Sequence, residues 1–259
     1  MKHSRNRRQG NQAGFSLIEV MVSILVLVIV MGAVFSQINQ VQAKAKTESM
    51  KLDLTQESRE FVDQFVRDLH MSGYPISKLY QNATGQTDGN VAVGLVFASP
   101  ISLRFEGDVY GDGNVYSVLY SYVAKDNADP NCPCLRRSVV KKKPNVDVAY
   151  SDGDLALGGK PGQDLPQYFT EVQNVIDPQG MAQGLFTYFQ GDGTAVNVGS
   201  CTVSSGALVC PGIDIDSSSA TIQLIDAIKV NLNTRSKQFD PITGQPAVNS
   251  VTTIAELEN

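Results

Sequence analysis

From Phe15 to Val34 the chain is an almost unbroken apolar run, and this run constrains the fold more than any other feature of the sequence. At about 1.5 Å per residue, a helix of this length spans roughly 30 Å, the thickness of the hydrocarbon core of a bilayer. The run therefore predicts a transmembrane helix. A soluble domain would have to bury every side of such a helix.

Charge predicts the direction in which this helix crosses the membrane. Four basic residues and no acidic residue precede the run, and the next basic residue after it is Lys44. Removing those four from the total of 21 basic residues leaves 17 against 26 acidic ones for the rest of the chain. Because basic residues stay on the cytoplasmic side, we expect a cytoplasmic N-terminus and a translocated body.

Glu19 does not fit an ordinary membrane anchor. A carboxylate within an apolar span costs roughly 2.5–3.5 kcal/mol on insertion scales, and such residues usually have a function. One interpretation is that Glu19, near the cytoplasmic end, reaches the lipid headgroups. The other is that it pairs with a free amino group at Phe15, created by cleavage after Gly14, on the same helix or on a neighbouring subunit.

The sequence GFSLIE at residues 14–19, behind a short basic leader and before a long apolar helix, resembles the class III signal of type IV prepilins and of type II secretion pseudopilins. This resemblance implies cleavage between Gly14 and Phe15 by a prepilin peptidase on the cytoplasmic side. It also implies N-methylation of Phe15 and an assembly role for Glu19, which would meet the N-terminal amine of an adjacent subunit.

A secretory signal peptide is the alternative interpretation of the same segment. Cleavage would then fall near residues 43–45 and would release a soluble protein. The apolar region is too long for this, because signal peptide cores usually run about 7–15 residues.

The helical pattern continues beyond the apolar run, and Gly73 followed by Tyr74-Pro75 ends it. The domain organisation predicted from this pattern is a cleaved leader (1–14), a transmembrane half (15–35) and an amphipathic half (36–72) of one long helix, and a head (73–259). In the amphipathic half, the apolar positions recur at three- and four-residue steps, above all at Phe61, Val62, Phe65, Val66 and Leu69.

The head is predicted to be β-rich, because short runs of Val, Ile, Tyr and Phe alternate with turn residues. The stretch 150–166 is predicted to be a surface loop. The fold class is therefore α+β, with the long helix packed on an antiparallel sheet. The predicted strands are Val91–Phe97, Ile101–Phe105, Val115–Val123, Leu135–Lys141, Gly184–Phe189, Cys201–Ser204, Ala207–Cys210, Ile222–Leu232 and Val248–Ile254.

Asp108, Asp112 and Asn114 form a weak calcium candidate. An EF-hand loop needs an acid or Asn at its third position and Glu at its twelfth, and here these are Tyr110 and Leu119. The preferred interpretation is a hairpin turn built from Asp and Gly.

The four cysteines suggest disulfides in an oxidising compartment. A two-residue turn at 205–206 places Cys201 opposite Cys210 at a non-hydrogen-bonded position, where Cα atoms approach about 4.5 Å, within disulfide range. Cys132 and Cys134 could be two thiols, a strained bond, or partners of the other pair. Zinc is disfavoured, because C-x-C spacing suits it poorly.

Residues 136–143 contain a basic cluster that could contact DNA phosphates. Strand alternation splits the cluster between two faces and no aromatic residues interleave it, so a solvated strand edge is the preferred interpretation and no nucleic acid is expected. With two His residues and no nucleotide-binding or hydrolase motif, the chain is expected to be neither an enzyme nor a cofactor-binding protein.

The stretches 186–193 and 228–232, in a mature chain of about 245 residues, look similar to PilW-like minor pilins and to GspJ-like pseudopilins. This resemblance implies a minor subunit that initiates or caps type IV pilus assembly, or alternatively a pseudopilin of a type II secretion system. An adhesin head on a pilin stalk is a further alternative. The implied partners are prepilin peptidase, other subunits and the bacterial inner membrane. The head would be periplasmic before assembly and part of a pilus or pseudopilus afterwards.

Overall fold

The computed structural model describes residue 14 and residues 16–75, 92–124, 132–142, 167–176, 184–204 and 207–257. Within these residues, a long helix is followed by twelve strands and one short helical segment. In chain order the elements are α1 (Leu17–His70), β1 (Leu95–Ala98), β2 (Ser102–Gly107), β3 (Tyr116–Val123), β4 (Cys134–Lys141), β5 (Gln167–Gln173), β6 (Phe186–Phe189), β7 (Ala195–Val196), β8 (Thr202–Ser204), β9 (Ala207–Val209), β10 (Ile213–Asp214), α2 (Ile215–Ile222), β11 (Ala227–Phe239) and β12 (Pro246–Glu256).

Helix α1 runs for 54 residues without a proline, and it confirms the long N-terminal helix of the prediction. It ends where Gly73 adopts a left-handed conformation with φ of 81°. The N–H of Gly73 donates to the carbonyl of Glu106 at 2.9 Å, and Ser72 forms a β-bridge with Gly107. The helix end is therefore joined directly to β2. A Cβ at residue 107 would collide with the carbonyl group of Met71.

The strands form three antiparallel sheets. The six-stranded sheet has the order β10-β1-β2-β3-β4-β5, the four-stranded sheet has the order β12-β11-β6-β7, and β8 pairs with β9. The α+β class with an antiparallel head is confirmed. The core lies where both larger sheets meet the second half of α1.

The core is built around an aromatic cluster. Phe61, Phe65 and Leu69 form the buried stripe of α1, with at most 1% of each side chain exposed. The ring of Phe65 meets Tyr120 of β3 edge-on at 5.4 Å and stacks on Phe186 of β6 at 5.9 Å. One helix position thus contacts both large sheets, and such ring pairs add about 0.5–1.5 kcal/mol beyond the buried area.

A buried carboxylate on the same helix face joins α1 to the six-stranded sheet. Oδ2 of Asp68 accepts a hydrogen bond from the hydroxyl of Tyr120 at 2.7 Å and forms an ion pair with Nε of Arg137 at 2.6 Å. Tyr120 and Arg137 are directly opposite each other on β3 and β4, so both side chains project toward the helix. Burial and the charge of Asp68 raise the pKa of Tyr120 well above its usual range, which keeps its hydroxyl protonated.

The β11–β12 hairpin lies along α1 and contacts it at two further levels. Asn249 of β12 donates to the carbonyl of Leu54 at 3.3 Å and contacts the hydroxyl of Ser58 at 3.0 Å. Toward the membrane segment, Thr47 donates to Oδ1 of Asp240 at 2.6 Å. The Thr47 hydrogen bond, followed by one from the Ile242 N–H, lowers the pKa of Asp240.

Several predicted bounds in the head are wrong. The run predicted as a strand from Ile222 begins with the last residue of α2, and strand β11 starts only at Ala227. Strand β11 also extends beyond the predicted end to Phe239. Its second half is polar and forms an exposed arm of the hairpin, so it lacks the apolar pattern on which the prediction relied. Strands β5, β7 and β10 were not predicted. The predicted loop at 150–166 lies outside the described residues.

The interpretation of residues 136–143 as a solvated sheet edge is also wrong for the position of the strand and for Arg137 and Lys142, although Lys141 is exposed. Strand β4 lies between β3 and β5 and is not an edge strand. Arg137 is buried beside Asp68, and Nζ of Lys142 is buried 2.7 Å from Oε2 of Glu106. These cations neutralise buried acids. Lys143 lies outside the described residues.

We predict that Asp68→Ala destabilises the head strongly, because it leaves the Arg137 guanidinium buried without its carboxylate. Loss of one partner of a buried ion pair costs about 3–5 kcal/mol. The free energy of unfolding can be measured by urea titration of the full chain in detergent micelles. Asp53→Ala, an exposed acid on the same helix, is the matched control and should change the free energy by less than about 0.5 kcal/mol. Equal losses in both variants would contradict the prediction.

Candidate functional site

The candidate site is the N-terminal segment at the start of α1. Gly14 is exposed, and a Cβ built on it would meet no other atom within 4 Å. Phe15, the predicted site of cleavage and methylation, lies outside the described residues, as does the leader before Gly14. The helix begins at Leu17, after Ser16 in an extended conformation. The Gly14 backbone is therefore outside the helix, and none of the described residues packs over it.

The apolar run in the first half of α1 is not buried by any of the described residues. Every described residue from Ser16 to Gln42 is exposed, including the whole apolar run. This helix is long and apolar enough to cross a membrane, and its most apolar window is entirely unburied. Apolar side chains exposed on all sides of a helix require lipid or other helices around them.

Glu19 is located in the first turn of this helix. The N–H groups of Glu19 and Val20 donate to the carbonyl of Ser16 at 3.0 and 3.2 Å. Ser23 donates to the carbonyl of Glu19 at 2.7 Å, so its hydroxyl stays within the helix backbone. The partial positive charge of the helix N-terminus favours a carboxylate in the first turn. The exposed carboxylate of Glu19 is thus placed to receive a cation from another molecule or from a new N-terminus.

Residues 9–35 match the family model described as the prokaryotic N-terminal methylation motif. The motif supports a type IV pilin-like protein. At this general level the motif suggests processing by prepilin peptidase, association with other pilin subunits and a structural subunit. The apolar helix fits membrane anchoring before pilus assembly. Comparisons with curated proteins and with solved structures gave no match.

Both cysteine pairs form disulfides in the structure. Cys201 and Cys210, with Cα atoms 4.1 Å apart, close the β8–β9 hairpin, whose strand register is the predicted one. Cys132 and Cys134 are bonded to each other at the start of β4, with Cα atoms 4.2 Å apart. The Cys201–Cys210 bond holds a small hairpin that contributes few residues to the core. Such a bond adds about 2–3 kcal/mol by restricting the unfolded chain.

The calcium candidate forms a turn between β2 and β3. The buried carboxylate of Asp108 accepts hydrogen bonds from the N–H groups of Asp112 and Gly113 at 3.1 and 2.9 Å. Hydrogen bonds from Asn114 and from the hydroxyl of Tyr116 lower the pKa of Asp112 to about 2. These carboxylates are thus engaged in holding the turn. Among the described residues, no three His, Cys, Asp or Glu side chains form a group that could hold a metal ion.

The buried charges that connect α1 to the head were not predicted from the sequence. Asp68 follows Phe61 and Phe65 at helical spacing, so an acid on the apolar stripe was the available signal. Asp240 gave no such signal. Its role depends on Thr47, which is 193 residues away in the sequence.

We predict that calcium does not stabilise the turn at Asp108, because both of its carboxylate oxygens already accept backbone hydrogen bonds. The melting temperature of the full chain in detergent should be the same with calcium and with a chelator. Asp108→Ala should lower it under both conditions, because it removes the hydrogen bonds that the buried Asp108 carboxylate accepts from the N–H groups of Asp112 and Gly113. A rise in melting temperature with calcium that disappears in Asp108→Ala would instead establish a calcium site.

Proposed function

We propose that this protein is a minor pilin that takes part in initiating or capping type IV pilus assembly. The observation that carries the proposal is a fully exposed apolar helix with Glu19 in its first turn, directly behind the Gly14–Phe15 junction. In this proposal the subunit is stored in the bacterial inner membrane through residues 15–35, with its N-terminus in the cytoplasm and its head in the periplasm.

Processing is the first step of the proposed function. A prepilin peptidase would cut between Gly14 and Phe15, and the new amino group of Phe15 would be methylated. The exposed Gly14 backbone outside the helix supports this step, because a protease needs an extended and accessible chain. Cleavage also removes the four basic leader residues. It thereby releases the cytoplasmic end of the helix from the charge that holds it at the membrane surface.

Assembly is the second step. The carboxylate of Glu19 would receive the N-terminal amine of a neighbouring subunit within the apolar environment of the packed helices. An ion pair is strong where water is excluded, and an unpaired charge there is costly. Pairing would therefore select subunits that have been cleaved and are in the correct register along the filament axis.

The head supports a minor rather than a major subunit. The two stretches that look similar to minor pilins and pseudopilins, residues 186–193 and 228–232, are neighbours in the four-stranded sheet. Tyr188 of β6 pairs with Ile228 of β11. The resemblance therefore concerns one contiguous part of the head, which packs on α1 through Phe186 and Phe65.

The N-terminus of the protein purified from membranes tests the processing step. We expect mass spectrometry of the intact chain to show a mature protein that begins with methylated Phe15. Gly14→Val should leave the leader attached, because a branched side chain next to the scissile bond obstructs the peptidase. An N-terminus near residue 46, or an intact leader on the unmodified protein, would exclude prepilin processing.

Glu19→Gln tests the assembly step. This variant should be cleaved and methylated normally. Its recovery with filaments sheared from cells should fall roughly tenfold or more, because a neutral amide cannot pair with the amine. Ser23→Ala is the matched control. Among the described residues, its hydroxyl donates to the Glu19 carbonyl of the same helix, so recovery should be unchanged. Equal recovery of both variants would remove Glu19 from the proposed mechanism.

Deletion of the gene separates the proposed function from its alternatives. Loss or severe reduction of surface pili is expected for a subunit that initiates pilus assembly. Normal pili with loss of enzyme secretion would assign the protein to a type II secretion system as a GspJ-like pseudopilin. Normal pili that no longer adhere would assign it as an adhesin on a pilin stalk.

A further inference from the structure

The tip of the β11–β12 hairpin, residues 240–245, is located beside the helix just above the apolar run. Pro241 and Ile242 of the tip share a cavity of about 500 Å³ with the helix segment from Ser36 to Lys44. Ser36 is two residues beyond Val34, or about 3 Å along the axis, and Lys44 is about 15 Å beyond it. The polar headgroup region extends roughly 5–8 Å beyond the hydrocarbon core. The tip therefore reaches the depth of the headgroups when the apolar run spans the membrane.

Three contacts fix this position. Asn249 bonds to the helix at Leu54 and Ser58, Asp240 bonds to Thr47, and Ile242 lies beside residues 36–44. These contacts follow one another down the helix toward the membrane. The hairpin therefore descends along α1, and its turn is the part of the hairpin nearest to the apolar run.

The turn is rigid and its apolar side chains are exposed. The carboxylate of Asp240 accepts from the N–H of Ile242 at 2.9 Å and from the hydroxyl of Thr243 at 3.0 Å, in addition to the bond from Thr47. Phe239 and Ile242 are 66% and 56% exposed. Asp240, which is itself buried, holds the turn through these bonds, and Phe239 and Ile242 on either side of it remain more than half exposed among the described residues.

The charge near the tip suits a membrane surface. Residues 35–47 contain Lys44 and Lys46 and no acidic residue, although the chain beyond the leader is acidic overall. Both lysines are exposed on the helix beside the tip. Basic residues next to a membrane are attracted to anionic lipid headgroups, and apolar side chains beside them enter the boundary of the acyl chains.

We propose that the hairpin tip is a second membrane contact, with Ile242 and the adjoining Phe239 inserted at the headgroup boundary of a bilayer containing anionic lipid. The unassembled subunit then rests on the membrane at two places, the transmembrane helix and this tip. The proposal rests on membrane anchoring by the apolar run and is independent of the role in starting a pilus.

The absence of tryptophan from the chain allows a direct test. In Ile242→Trp the introduced indole is the only one, and lipids brominated on the acyl chains quench its fluorescence on contact. The matched control is Ile254→Trp at the other end of β12, where the native side chain is 57% exposed, close to the 56% of Ile242. The full chain is placed at one copy per nanodisc of phosphatidylethanolamine and phosphatidylglycerol, so that no neighbouring subunit is present.

We expect brominated lipid to reduce the fluorescence of Ile242→Trp roughly twofold and to leave the Ile254→Trp control almost unchanged. Replacing phosphatidylglycerol with a zwitterionic lipid should weaken the quenching, because the attraction to the lysines is lost. If near-ultraviolet circular dichroism shows that Ile242→Trp is misfolded, Phe239→Trp takes its place.

Equal quenching of the tip and control variants, or quenching of neither, would overturn the proposal. The same holds if the tip indole is shielded only when several copies share a bilayer, because its partner would then be another subunit. None of these outcomes depends on piliation. A failure here is therefore distinguishable from a failure of the proposed function, which the filament recovery of Glu19→Gln reports.

Discussion

Asp68 has a negative charge on the face of the helix that water does not reach, and two side chains from adjacent strands of the six-stranded sheet neutralise and bind it. Both bond to the same oxygen, Oδ2, while Oδ1 accepts a hydrogen bond from Gln64 on the helix itself. Together they hold the helix in one rotation and one height relative to the sheet. The aromatic contacts of Phe61 and Phe65 depend on that placement, because apolar packing alone tolerates sliding along the helix axis.

The two halves of α1 show how one continuous helix can serve two environments. In the first half, the side chains of the apolar run are exposed on all sides, and no described residue of the head buries them. In the second half the apolar residues narrow to a stripe, which the head covers. The change occurs without a proline or a break in hydrogen bonding. If the apolar half of the helix moves along its axis, the second half and the head therefore move with it as one rigid body.

The sequence was sufficient for the parts of the fold that have a strong period. An apolar run of membrane length and the stripe at 61–69 predict α1, and the Cys201–Cys210 hairpin follows from its two-residue turn and strand alternation. Strand β5 was not predicted, because it is recognisable as a strand only through its pairing with β4. Several of its side chains are not buried. The roles of Arg137 and Lys142 could not be predicted either. A basic residue on a strand has the same local pattern whether water or a distant carboxylate is its partner.

Attachment of the hairpin to Thr47 and of the sheet to Asp68 has a geometric consequence for the whole subunit. The two attachment points are 21 residues apart, about 31 Å along the helix axis. A helix attached at two such points cannot rotate about its axis relative to the head. The rotation of the helix about its own axis is therefore fixed relative to the head. The same two attachments determine the direction in which Glu19 points around this axis and the orientation of the outer faces of the sheets.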